Sequence, residues 1–131
     1  MSKKMSSLSR LFLCSIILIA VSFSCKKRSQ SSYPLPVSIQ YRIIASNGVS
    51  QATSIIYTNE TGGLTNLTNQ NLPFSKSLST TVTRGDAFTL RGDASGAGSL
   101  KLEILVNNNV VKTATYTGSS VITGQITYQF Q

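Results

Sequence analysis

Apolar side chains recur at every second residue along most of this chain, and that period constrains the fold more than any other feature. Val37, Ile39, Tyr41 and Ile43 alternate with Ser38, Gln40 and Arg42, and Leu100, Leu102, Ile104 and Val106 alternate with Lys101 and Glu103. Successive side chains of an extended strand point to opposite faces, so such runs turn one face to a core and the other to water. From residue 37 onward no window of ten or more residues carries helical spacing.

Turn signals divide the alternating runs. Asn47-Gly48 is a hairpin-turn pair between the first strand and the β-branched run Gln51–Thr58. Asn59–Gly63 (NETGG) is a turn cluster, and Leu64–Asn69 is a short polar strand suited to a sheet edge. Phe74, Leu78 and Val82 share a face with Lys76 and Thr80. Arg84-Gly85-Asp86 makes the next turn, after which Phe88 and Leu90 point inward. Gly92–Gly98 (GDASGAG) reads as loop, Asn107–Asn109 as a turn into Val110–Tyr116, and Ile122, Ile126, Tyr128 and Phe130 as the last strand. About seven or eight short strands at regular spacing predict an all-β sandwich of two antiparallel sheets.

The N-terminus obeys different rules. Residues 1–10 carry Lys3, Lys4 and Arg10 and no acid, and the 13 residues 11–23 (LFLCSIILIAVSF) are almost wholly apolar. A basic start, a short apolar stretch and small residues before a cleavage point describe a secretory signal. Spanning a bilayer as a helix takes roughly 17–25 residues, so a transmembrane anchor is the poorer reading. Ser22 and Ser24 lead into Cys25, which resembles the lipobox of bacterial lipoproteins, and the SCKK run is similar to that of Bacteroidota members. That resemblance implies cleavage before Cys25 and acylation of its thiol. Lys26, Lys27 and Arg28 would then lie among anionic headgroups, each contributing about 1 kcal/mol near the surface. The predicted organisation is a signal peptide at 1–24, a lipidated Cys and linker at 25–36 broken by Pro34 and Pro36, and a sandwich domain at 37–131.

Composition then excludes much chemistry. Lys and Arg number 12 against 4 acids, a net charge of +8. Three of those cations fall in the signal and three in the Lys26–Arg28 run. The rest of the chain has Arg42, Lys76, Arg84, Arg91, Lys101 and Lys112 against Glu60, Asp86, Asp93 and Glu103, leaving +2. No basic stripe interleaved with aromatics survives there, so nucleic acid is not an expected partner. The chain has no His, which removes imidazole catalysis and imidazole metal ligation. Its 2 Cys are Cys14, inside the signal, and Cys25, so the domain has no thiol and no disulfide. Neither a cofactor nor a metal site is expected, and no nucleophile, base and orienting group can be assembled into an enzyme.

Other motifs read as structure. The RGD triplets Arg84–Asp86 and Arg91–Asp93 fit a turn and the close of a strand rather than an adhesion signal. The sequons at Asn59 and Asn66 fit a turn and an edge strand. Ser75 and Ser77 flank Lys76 in a strand and so point away from it. Tyr41, Tyr57, Tyr116 and Tyr128 are expected to pack against the sheets.

The order YTNETGG (Tyr57–Gly63), LPFSKS (Leu72–Ser77), GDAFTL (Gly85–Leu90) and SLKLEILVNNNVVKTA (Ser99–Ala114) resembles the extracytoplasmic domain of the mycobacterial small membrane proteins, MmpS, and of related short lipoproteins. The resemblance covers roughly residues 37–130. It implies an immunoglobulin-like sandwich and a role assisting a large RND-type exporter. Phe74 stands where that family usually has Trp, its paired cysteines are absent, and a lipid anchor replaces its membrane helix. The expected function is a non-enzymatic accessory or binding module on the cell envelope, facing the periplasm or the surface. Its partners would be a membrane, through the anchor, and a membrane transporter complex. The alternative is a surface-exposed structural or adhesion lipoprotein.

Overall fold

The computed structural model describes residues 32–131. Eight strands follow one another: β1 (Leu35–Ser46), β2 (Gln51–Thr58), β3 (Leu64–Asn71), β4 (Phe74–Val82), β5 (Ala87–Ser95), β6 (Gly98–Val106), β7 (Asn109–Gly118) and β8 (Val121–Gln129). They form two antiparallel sheets of four strands, ordered β4-β1-β6-β7 and β3-β2-β5-β8. The sequence-predicted all-β sandwich is therefore the observed architecture, the one that immunoglobulin-like domains share. Only β2–β3 and β6–β7 are hairpins; every other connection crosses from one sheet to the other.

The period of two puts the expected residues inside. Ile39, Tyr41 and Ile43 of β1 and Leu100, Leu102 and Ile104 of β6 are fully buried, opposite Ile55, Leu90 and Ile122 of the second sheet. Tyr41 reaches across: its hydroxyl donates to the Thr58 carbonyl at 2.7 Å, so the buried phenol is satisfied. Burial pushes the Tyr41 pKa upward, well above the usual phenol range, although the bond to Thr58 works the other way.

Two expectations from the sequence are corrected. Asn47-Gly48 makes the predicted tight turn, with φ of 61° and 97°, but not a hairpin. Both lateral positions beside β1 are taken by β4 and β6, so β2 is carried into the opposite sheet. The true two-residue hairpin turn is Asn107-Asn108, again with both φ positive (48° and 65°). Nor is Gly92–Gly98 a loop, because β5 runs to Ser95 and only Gly96 and Ala97 separate it from β6. Gly92 pairs with Gly124 of β8 in mid-sheet, and a Cβ there would lie 2.9 Å from Ile43 Cδ1. The glycine admits a side chain from the facing sheet rather than bending the chain.

The chain also joins the sandwich earlier than residue 37. Leu35 is already paired with Val82, and the Tyr33 hydroxyl donates to the Gln131 carbonyl at 2.9 Å. The first-sheet edges, β4 and β7, each carry a lysine on the core-facing phase: Lys76 opposite Tyr41 and Lys112 opposite Ile104. An inward-phase charge discourages a foreign strand from pairing with an open edge.

Candidate functional site

Cys25, Lys26, Lys27 and Arg28, with the whole proposed signal, lie outside the described residues. What the structure does place is the chain's arrival in the domain and the surfaces around it. Alternation of strand direction sorts the connections between two ends. Tyr33, the β2–β3 turn, the β4–β5 turn, Asn107-Asn108 and Gln131 share the end where the described chain begins. The opposite end is built from Asn47–Ser50, Leu72-Pro73, Gly96-Ala97 and Ser119-Ser120, which contain no charged residue.

At the first end a groove of about 610 Å³ opens between the last residues of β8 and the first of β7. Tyr33, Leu35, Val111, Lys112, Tyr128 and Phe130 line it. Tyr128 and Phe130 stand edge to face with centroids 5.1 Å apart, and Phe130 meets Phe88 in the same way at 5.9 Å. Such pairs add about 0.5–1.5 kcal/mol beyond their buried area and give the wall a fixed shape.

The motifs singled out in the sequence separate cleanly. In Arg84–Asp86, the Thr83 N–H donates to the Asp86 carboxylate at 2.7 Å and the Gly85 N–H to the Phe130 carbonyl at 2.8 Å, so the triplet is a turn pinned to the C-terminal strand. Arg91–Asp93 does not close a strand: it lies within β5, with Arg91 Nε 3.1 Å from Asp93 Oδ2. The Asn59 side-chain oxygen accepts from the N–H groups of Thr61 and Gly63 and holds the NETGG turn, whereas Asn66 sits on edge strand β3. Ser75 and Ser77 are exposed on the face opposite Lys76. Among the described residues no three metal-ligating side chains come together.

One cluster escaped the sequence reading. Glu103 falls on the polar phase of β6, yet it is only 4% exposed. Register sets Arg42 of β1 directly beside it, and Lys101 precedes it by two residues on the same face. One carboxylate oxygen lies 2.7 Å from Arg42 Nη2 and the other 2.7 Å from Lys101 Nζ. The cations cover the carboxylate while remaining themselves partly exposed. Alternation alone could not reveal this; the cross-strand partner was needed. The hydrogen bond from Lys101 and the nearby positive charges hold the Glu103 pKa below the usual carboxylate value, outweighing burial, which raises it. A depressed folded-state pKa contributes stability above the unfolded carboxylate pKa. That contribution is lost as pH falls through the ordinary carboxylate range to the lower folded value. Urea midpoints measured from pH 7 to pH 3 should therefore decline more steeply for the native protein than for Glu103→Gln, and parallel declines would remove Glu103 from the acid response.

No family model matches the chain, and no curated protein does.

Proposed function

We propose that this chain is a lipid-anchored protein of the bacterial cell envelope whose sandwich domain acts as a non-enzymatic accessory or binding module. The observation that carries the reading is Cys25, set just after the almost wholly apolar 13-residue stretch 11–23, with Ser22 and Ser24 before it and three cations directly after it. Each acyl CH₂ buried in a membrane contributes about 0.8 kcal/mol, and two or three chains on one Cys hold a protein there stably. From Cys25 to Leu35 an extended chain reaches at most about 35 Å, so the domain would work close to the bilayer.

The domain's charges favour a structural module over a reaction centre. Asp86 fixes a turn, Asp93 pairs with Arg91, and Glu103 pairs with Arg42 and Lys101. Those acids are engaged in holding backbone and sheet. The resemblance to the MmpS proteins suggests the site of work, beside an RND-type exporter, with the uncharged loops as contact surfaces on a rigid scaffold.

Radiolabelled palmitate supplied to cells should enter the native protein and not Cys25→Ala, and the variant should leave the membrane fraction. Equal labelling of the two would end the anchoring claim. Affinity capture from detergent-solubilised membranes tests the accessory role, for which an exporter subunit should co-purify in stable ratio.

A further inference from the structure

Resting on the reading of this domain as a binding module, we propose that the groove between β7 and β8 binds a small amphipathic carboxylate. Its apolar or aromatic body would lie against Tyr128, Val111 and Leu35, and its carboxylate would meet Lys112.

The groove exists because the seam between the two sheets is closed at one end only. On the core-facing phase of β7, Tyr116, Ala114 and Lys112 follow one another opposite Leu100, Leu102 and Ile104. Tyr116 spans the seam, laying its ring over Gly124 and donating its hydroxyl to the Gln125 carbonyl. Ala114 is too short to reach across, and Lys112 is exposed. Tyr128, half-buried against the core, is left accessible beside them, with the buried Phe130 ring behind it. The volume of about 610 Å³ falls within the range of roughly 300–1,000 Å³ typical of small-molecule sites.

Charge selects the ligand. Lys112 is the one charged side chain lining the groove, and among the described residues its ammonium has neither an ion pair nor a hydrogen bond. Three of the neighbouring polar groups are already used. The Tyr33 hydroxyl donates to Gln131, Gln129 Nε2 donates to the Gly85 carbonyl, and the Thr127 hydroxyl pairs with Thr89 on the outer face. An unpaired cation at the rim of an aromatic wall is complementary to an anionic head on an apolar body.

Edge protection is the competing explanation of Lys112, and Lys76 on the opposite edge supplies the control. The full chain in detergent micelles is titrated with 2-naphthoate while the amide resonances of Val111, Lys112, Tyr128 and Phe130 are followed. Saturable shifts at those residues are expected. Lys112→Gln should weaken binding about tenfold, as should replacing the probe by uncharged 2-naphthol, while Lys76→Gln leaves it unchanged. Equal affinity in Lys112→Gln and the native protein, or an absence of saturable shifts at the groove, would overturn the proposal. The palmitate labelling of Cys25 does not involve Lys112, so a failed groove and a failed anchor give separate signatures.

Discussion

Leu102→Asp is expected to abolish the folded domain. Leu102 has no solvent exposure and lies in the middle of the first sheet, paired with Ile43 on one side and Ala114 on the other. The substitution removes an apolar side chain worth about 2–5 kcal/mol when deleted from a core. It also puts a carboxylate where no cation can meet it, which costs several kcal/mol whether the group stays charged or takes up a proton. Against a typical total stability of about 5–15 kcal/mol, the sum leaves little or nothing. Circular dichroism should show the cooperative strand melt lost at room temperature. Thr81→Asp, on the exposed face of β4, serves as the control and should change stability by no more than about 0.5 kcal/mol. Native-like melting of Leu102→Asp would mean that β6 has the opposite phase.

Gly124→Ala is expected to be nearly as instructive, although it adds a single methyl group. A Cβ at this position would collide with the Tyr116 ring, 2.7 Å from both Cγ and Cε2. The ring belongs to the opposite sheet, and its hydroxyl is fixed on Gln125, so it cannot swing away without losing that bond. Overpacking of this kind costs about 1–3 kcal/mol, or roughly 10 °C in Tm for a domain of this size. The contact is specific enough for a double-mutant cycle. In a Tyr116→Ala background the glycine no longer faces a ring, and the penalty of Gly124→Ala should fall by about 1 kcal/mol or more. Additive effects of the two substitutions would show that the alanine is resisted by something other than Tyr116.

This glycine also marks where sequence reasoning stops. Alternation located the strands that bury one face, because a run such as Leu100–Val106 admits only one arrangement. Single residues whose role depends on the facing sheet were not legible. Gly92 read as a loop residue, since a glycine beside an aspartate and a serine is locally indistinguishable from a turn. Its purpose lies in Ile43, which is 49 positions away and arrives from the other layer. Asn47-Gly48 gave the right turn geometry and the wrong pairing for a similar reason. The local chemistry sets φ, whereas strand neighbours are decided by which edges remain open.

The same division holds for the surfaces. Cys25 and the basic run after it can be proposed from the sequence alone, because a lipidation signal is local and linear. The Arg42–Glu103–Lys101 cluster and the open stretch of seam at Lys112 cannot, since each is assembled by register between strands distant in sequence. Lys112 could be assigned to β7 from its neighbours. That it stands on the core-facing phase, with the seam open beside it, follows only from the irregularity at Ile104/Leu105 that sets the pairing of the hairpin.

The proposed anchor requires that the chain be cut before Cys25 and held at a membrane by acyl chains on that residue. Intact-mass spectrometry of the protein extracted from native membranes addresses this most directly. It should return the mass of residues 25–131 increased by a diacylglycerol, with or without a further acyl chain. An unmodified mass, or one that retains the residues from Met1 onward, would contradict it.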